Sequence, residues 1–132
     1  MPLSQELPDF RHVPRSVDAA GRVTIDERQL AASFFITRDT LQATWRPRTA
    51  DDLRPEDLEP LLACQPAVIL LGTGPRLVFP APVVMAAALT RGVGLEAMDN
   101  AAAARTFAIL AGEGRAVVAA FLVDGGEGAG GG

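Results

Sequence analysis

Pro66-Ala-Val-Ile-Leu-Leu-Gly72-Thr73-Gly74 opens the stretch that decides the fold, and Ala116-Val-Val-Ala-Ala-Phe-Leu-Val123 closes it. Ala67 to Leu71 is apolar without alternation, the pattern of a strand covered on both faces. Leu95 to Met98 and Ala116 to Val123 read as two more strands. Between them lie two alanine-rich segments at helical length. Pro82 opens the first, which runs to Arg91 with Met85 and Leu89 four apart on one side, and Gly92 stops it. Asp99 caps the second, which sets Ala103, Phe107 and Leu110 on one stripe before Gly112 and Gly114 end it. A brief strand is expected over Arg76 to Phe79. The order strand, loop, helix, strand, helix, strand is an α/β unit whose crossovers should be right-handed. Small alanine faces let both helices lie close on the sheet.

Working outward, Pro55 suits a helix start, Glu56 and Asp57 sit at its positive end, and Leu58, Leu61 and Leu62 follow at helical spacing. Pro60 shortens or kinks that helix. Upstream, Arg22 to Ile25, Gln29 to Thr37 and Leu41 to Trp45 read as a three-strand antiparallel meander. Its last strand alternates Leu41, Ala43 and Trp45 onto one face. Trp45 is expected to cover the core and to find a partner for its indole nitrogen. Residues 1–10 read as an extended lead-in, 11–124 as one α/β domain, and the glycine-rich 125–132 as a disordered tail.

The chain has 132 residues, 12 basic and 16 acidic, with a formal charge of −4. That is long enough to bury roughly two-thirds of the unfolded surface. No basic run is present, which disfavours a nucleic-acid partner. The first residues lack a signal-peptide pattern, and no apolar run reaches the ~20 residues of a membrane span. A cytoplasmic protein is expected. The lone Cys64 reads as a small buried apolar group, and the lone His12 as a solvated loop residue.

Gly72-Thr73-Gly74 follows a buried strand, where ligand-binding loops of open α/β sheets lie. It lacks the third glycine and immediate helix of a dinucleotide fingerprint and the lysine of a phosphate loop. A tight turn and a ligand or partner contact both remain open for it. Arg105 and Arg115 are the notable cations, near Glu96 and Glu113, and a Glu113–Arg115 surface ion pair is expected. One histidine and one cysteine make a metal site improbable, and no Gly-x-Ser-x-Gly elbow occurs. No cofactor is expected, and nothing in the chain forms a recognisable catalytic set.

Leu70-Leu-Gly72-Thr73-Gly74, Phe79-Pro80, Arg91-Gly-Val-Gly-Leu-Glu96-Ala-Met-Asp99, Ala102 to Thr106 and Glu113-Gly-Arg115 resemble a small family of unassigned biochemical function. Its members include a mitochondrial respiratory complex I assembly factor and an adipogenesis-associated protein, with many bacterial relatives. The resemblance implies a central mixed sheet of about five strands with flanking helices and an additional N-terminal antiparallel β layer. It implies no activity or cofactor. Asp99, Arg105, Thr106 and Glu113 match the family pattern. Asn100, Ala101, Ala104, Phe107 and Ala108 stand where that pattern has Thr, Gly, Cys, Tyr and Asn.

Two functions follow as expectations. One is a non-enzymatic interaction module or assembly factor, with a protein partner at Gly72, Thr73, Gly74, Asp99, Arg105, Thr106, Glu113 and Arg115. The other is a small-molecule (anion) binding domain or an enzyme using the Gly72–Gly74 loop, with Arg105 as the anchor. A homo-oligomer with an exposed apolar edge is a third candidate.

Overall fold

Ile69 and Val118 lie directly opposite each other on neighbouring parallel strands, at the centre of a five-stranded mixed sheet. A computed structural model describes residues 12–124; the expected lead-in over 1–10 and tail over 125–132 fall outside them. The described residues form eight strands, β1 (Pro14–Val17), β2 (Val23–Ile25), β3 (Arg28–Leu30), β4 (Phe34–Ile36), β5 (Leu41–Gln42), β6 (Val68–Gly72), β7 (Gly94–Met98) and β8 (Val117–Phe121). Three helices accompany them, α1 (Glu59–Leu62), α2 (Pro82–Leu89) and α3 (Asn100–Gly112), and a 3₁₀ turn over Pro55–Leu58 runs into α1. The main sheet has the order β5-β4-β8-β6-β7, and β1-β2-β3 form a separate antiparallel sheet. β7 and β8 run parallel to β6, β4 runs antiparallel to β8, and β5 runs antiparallel to β4.

The two faces of the main sheet follow the period-two alternation of its strands. Ile69, Leu71, Val118, Ala120 and Phe35 point to one side and meet Val84 and Ala88 of α2, Leu58, Leu61 and Trp45. Leu70, Val117, Ala119, Phe121 and Phe34 point to the other and meet Ala103 and Phe107 of α3, with Val23 and Ile25 of the small sheet. The alanines set both helices close to the strands, as their composition requires. Phe34 and Phe121 stack at 4.9 Å between ring centroids, and Phe35 meets Trp45 edge-on at 6.5 Å. Trp45 Nε1 donates to the Asp57 carbonyl at 3.0 Å, the partner its burial demands. Among the described residues no helix is long and apolar enough to cross a membrane.

The expected three-strand antiparallel layer is present, but β1, β2 and β3 build it rather than residues 22–25, 29–37 and 41–45. Residues 29–37 split into β3 and β4, which belong to different sheets, and Ser33 marks the crossing by accepting Val123 N–H at 2.9 Å. Ala43 is exposed, and Leu41 and Trp45 serve opposite faces, because β5 ends at Gln42. Arg76 to Phe79 forms no strand: its chain is held by Thr73 and makes no ladder. Met85 and Leu89 share one side of α2, where Met85 packs partly buried against the core and Leu89 is exposed, while Val84 and Ala88 face the sheet. Cys64 is exposed too, with Sγ 3.5 Å from the Pro60 carbonyl, since α1 ends before it. Burial of part of its surface still pushes the thiol pKa up. The strand β1 has no clear signature: Pro14-Arg-Ser-Val17 carries neither alternation nor an aromatic.

Candidate functional site

The carboxyl ends of β6, β7 and β8 converge on one polar knot. Gly72, Met98 and Phe121 are in register there, and α3 starts immediately beyond β7. Asp99 caps α3 as its sequence position suggests: its Oδ1 accepts Ala102 N–H at 2.8 Å. The next residue, Asn100, is the hub. Its side chain is fully buried. Oδ1 accepts Gly74 N–H at 3.0 Å, and Nδ2 donates to Gly21 O at 2.8 Å and Leu122 O at 3.0 Å. Its backbone N–H donates to Gly74 O at 2.8 Å. One amide thereby ties the β1–β2 turn, the β6 loop and the end of β8.

The two glycines of the loop answer separate demands. A Cβ on Gly72 would lie 2.3 Å from Asn100 Oδ1 and 3.2 Å from Phe121 Cδ1, so the hub needs a bare backbone there. Gly74 has φ +108, a conformation that L side chains rarely adopt. Between them Thr73 N–H donates to Met98 O at 2.8 Å. Thr73 Oγ1 donates to Arg76 O at 2.7 Å and accepts Val78 N–H at 3.0 Å. The polar groups of Thr73, Gly74 and Asn100 are thus spent inside the protein.

The eight candidate residues do not form one site. Gly72, Thr73, Gly74 and Asp99 share the carboxyl edge of the sheet. Arg105 and Thr106 lie farther along α3. Glu113 and Arg115 sit beyond its other end, about 20 Å from Asp99 at 1.5 Å per residue over thirteen residues. The expected Glu113–Arg115 ion pair is not among the ion pairs of the described residues, and no ion pair or hydrogen bond joins Arg105 to a described residue. Arg105 instead borders a hollow of about 280 Å³ with Arg15, Ser16 and Ala101. A second hollow, of about 300 Å³, has Thr73, Gly74, Arg48 and Arg76 on its wall.

The strongest charge cluster is elsewhere and its role is structural. Arg46 Nε and Nη2 reach the two carboxylate oxygens of Asp57 at 2.9 and 2.7 Å, and Nη1 reaches Asp52 at 3.0 Å. Burial alone would raise the Asp57 carboxyl, but the Arg46 fork and the Arg54 N–H hold it below the ordinary carboxylate range. His12 is 3.4 Å from Asp26 rather than fully solvated. No group of three or more potential metal-ligating side chains occurs among the described residues. Sequence reasoning missed Asn100. The available signal was a lone polar residue opening an alanine-rich helix directly after its cap.

Exposed apolar side chains gather just downstream of the knot. Leu77, Val78 and Phe79 are exposed, with Phe79 at 69%, and Val83 follows at 60%. Thr73 pins the start of this segment and the buried Pro80 its end.

A Xanthomonas campestris protein solved by NMR is 48% identical, with 95% of this chain and 94% of that one aligned at a TM-score of 0.81. A crystal structure from Bordetella parapertussis is 30% identical over 87% of this chain and 98% of that one, at 0.80. A Bordetella pertussis protein described as a Mth938-like domain is 28% identical over 86% and 87%, at 0.72. No curated protein matches the chain. A family model described as a protein of unknown function, DUF498/DUF598, matches residues 18–122, and with the Xanthomonas likeness over nearly the whole length it follows that this chain belongs to that family.

Proposed function

We propose that the chain is a non-enzymatic protein-interaction module of the assembly-factor kind, acting in the cytoplasm as one domain over residues 11–124. The observation that carries this is the apolar rim Leu77-Val78-Phe79 with Val83. A segment pinned at both ends holds these side chains in water, where they contribute nothing to the core. Apolar surface of that kind marks contact with a protein partner. The polar loop behind it serves as the rigid mount: its donors and acceptors are already matched internally. The resemblance to a family that includes an assembly factor supports the same reading.

The test is a photoreactive residue at position 77, crosslinked in cells. A discrete adduct with another protein is expected, and Phe79→Ser should remove it while leaving thermal unfolding unchanged. Adducts that survive Phe79→Ser, or none at all, refute the proposal.

One observation favours a second reading, anion binding. Arg15 and Arg105 border the same hollow, and no carboxylate is among its lining residues. A carboxylated or phosphorylated metabolite bound there would raise the unfolding temperature by mass action. Arg105→Ala should abolish that rise, and a flat response across anionic metabolites removes the reading.

A further inference from the structure

β7 is an edge strand of the main sheet, and among the described residues no strand pairs with its outer side. Gly94 N–H donates to Ala67 O and Met98 O accepts Thr73 N–H, so Gly94, Glu96 and Met98 turn their backbone groups toward β6. By alternation, Leu95 and Ala97 turn N–H and C=O outward. Natural edges of this kind are usually guarded, because they template pairing with another strand.

The helix above this edge is apolar all round. No charged residue occurs from Pro82 to Thr90, a composition expected of a helix covered on every side. Yet Pro82, Val83, Ala86 and Leu89 are exposed. Val84 and Ala88 face the sheet. Arg91, one turn beyond Ala87, pairs with Glu59 of α1 at 3.4 Å, so that flank looks toward α1. The opposite flank lies on the β7 side, as a right-handed β6–α2–β7 crossover requires; there Met85 packs partly buried against the core and Leu89 is 62% exposed.

The geometry points to a homodimer formed by antiparallel pairing of β7 with β7 of a second copy, with the Met85–Leu89 flanks of the two α2 helices meeting above the joint. One two-fold axis supplies both missing partners at once. It brings a strand to the outward groups of Leu95 and Ala97, and an equally apolar helix to the same face of the continuous sheet. A foreign extended peptide would pair the edge but bring no helix to the flank. The register is constrained as well. Pairing centred on Glu96 would set two carboxylates face to face, which is unfavourable. Centring on Leu95 sets Glu96 opposite Gly94 of the second copy.

The test combines sedimentation equilibrium of the full chain with amide hydrogen exchange. A dimer is expected at micromolar concentration, with slow exchange at Leu95 and Ala97. Leu89→Glu, at an exposed position that leaves the fold intact, should weaken the dimer by roughly 30-fold or more and free both amides. Phe79→Ser should leave the dimer unchanged, which separates this inference from the partner-binding rim. A chain that stays monomeric overturns the proposal. So does a dimer that exchanges Leu95 and Ala97 rapidly, or one that Leu89→Glu leaves intact.

Discussion

Replacing Gly72 with alanine should cost far more than one methyl group ordinarily does, and the cost should vanish when Asn100 is removed. The added Cβ would sit 2.3 Å from Asn100 Oδ1. That oxygen cannot step aside cheaply, because the same side chain donates to Gly21 O and Leu122 O. Expelling the amide forfeits three buried hydrogen bonds, at about 1 kcal/mol each net, and strands backbone groups whose desolvation costs about 1–3 kcal/mol apiece. The expected loss is about 3–5 kcal/mol for Gly72→Ala, and a similar loss for Asn100→Ala. In the Asn100→Ala background the obstacle is gone, leaving only the 3.2 Å approach to Phe121. The second substitution should then add about 1 kcal/mol or less, giving a coupling energy of about 2–3 kcal/mol or more. Urea unfolding of the four proteins measures it: each single variant should lower the midpoint by about 1–3 M for ordinary m-values. Additive losses would refute the reasoning, since they would mean that position 72 does not act through the Asn100 amide.

Three further outcomes are expected. Asp99→Ala should cost about 1 kcal/mol in urea unfolding, through loss of the Ala102 N–H cap alone. The folded Asp57 carboxyl lies below its unfolded value, so its contribution is complete at neutral pH. It should decline as pH falls through the unfolded value of about 3.9 and be gone below the folded one. Asp57→Asn should therefore be less stable at pH 7 by about 1–3 kcal/mol and flatter in acid, as urea midpoints against pH would record. Cys64→Ser should change stability by under about 0.5 kcal/mol, because the side chain is exposed. Its raised pKa should make the wild-type thiol slower to alkylate at neutral pH than a free cysteine.

The parallel half of the sheet was legible because its signals are local and redundant. Val68 to Gly72 and Val117 to Phe121 have unbroken apolar runs, Pro82 and Asp99 mark helix starts, and glycines mark the stops. The N-terminal half was not. β3 and β4 are separated by only Ala31, Ala32 and Ser33, and a change of sheet within three small residues leaves no periodic trace. Arg76 to Phe79 has strand composition but no neighbour to pair with, so tertiary context overrides propensity. The candidate site fared similarly. Sequence position correctly placed Gly72–Gly74 and Asp99 at the carboxyl edge. Glu113 and Arg115 match the family pattern, yet the thirteen-residue α3 sets them about 20 Å from that edge.

The Asn100 bond to Gly21 joins residues 79 positions apart. The amide completes its set of partners only after β6, β8 and α3 have met, since Gly74 and Leu122 must already stand beside it. The β1–β2 turn is therefore expected to dock last, onto a structure assembled without it. In refolding, native-like secondary structure should precede the locking of this turn. Under mild heating a protease should cut near Gly21 before it reaches the parallel strands. The smaller sheet is in this sense a latch, seated on the apolar contacts of Val23 and Ile25 and fastened by one buried amide.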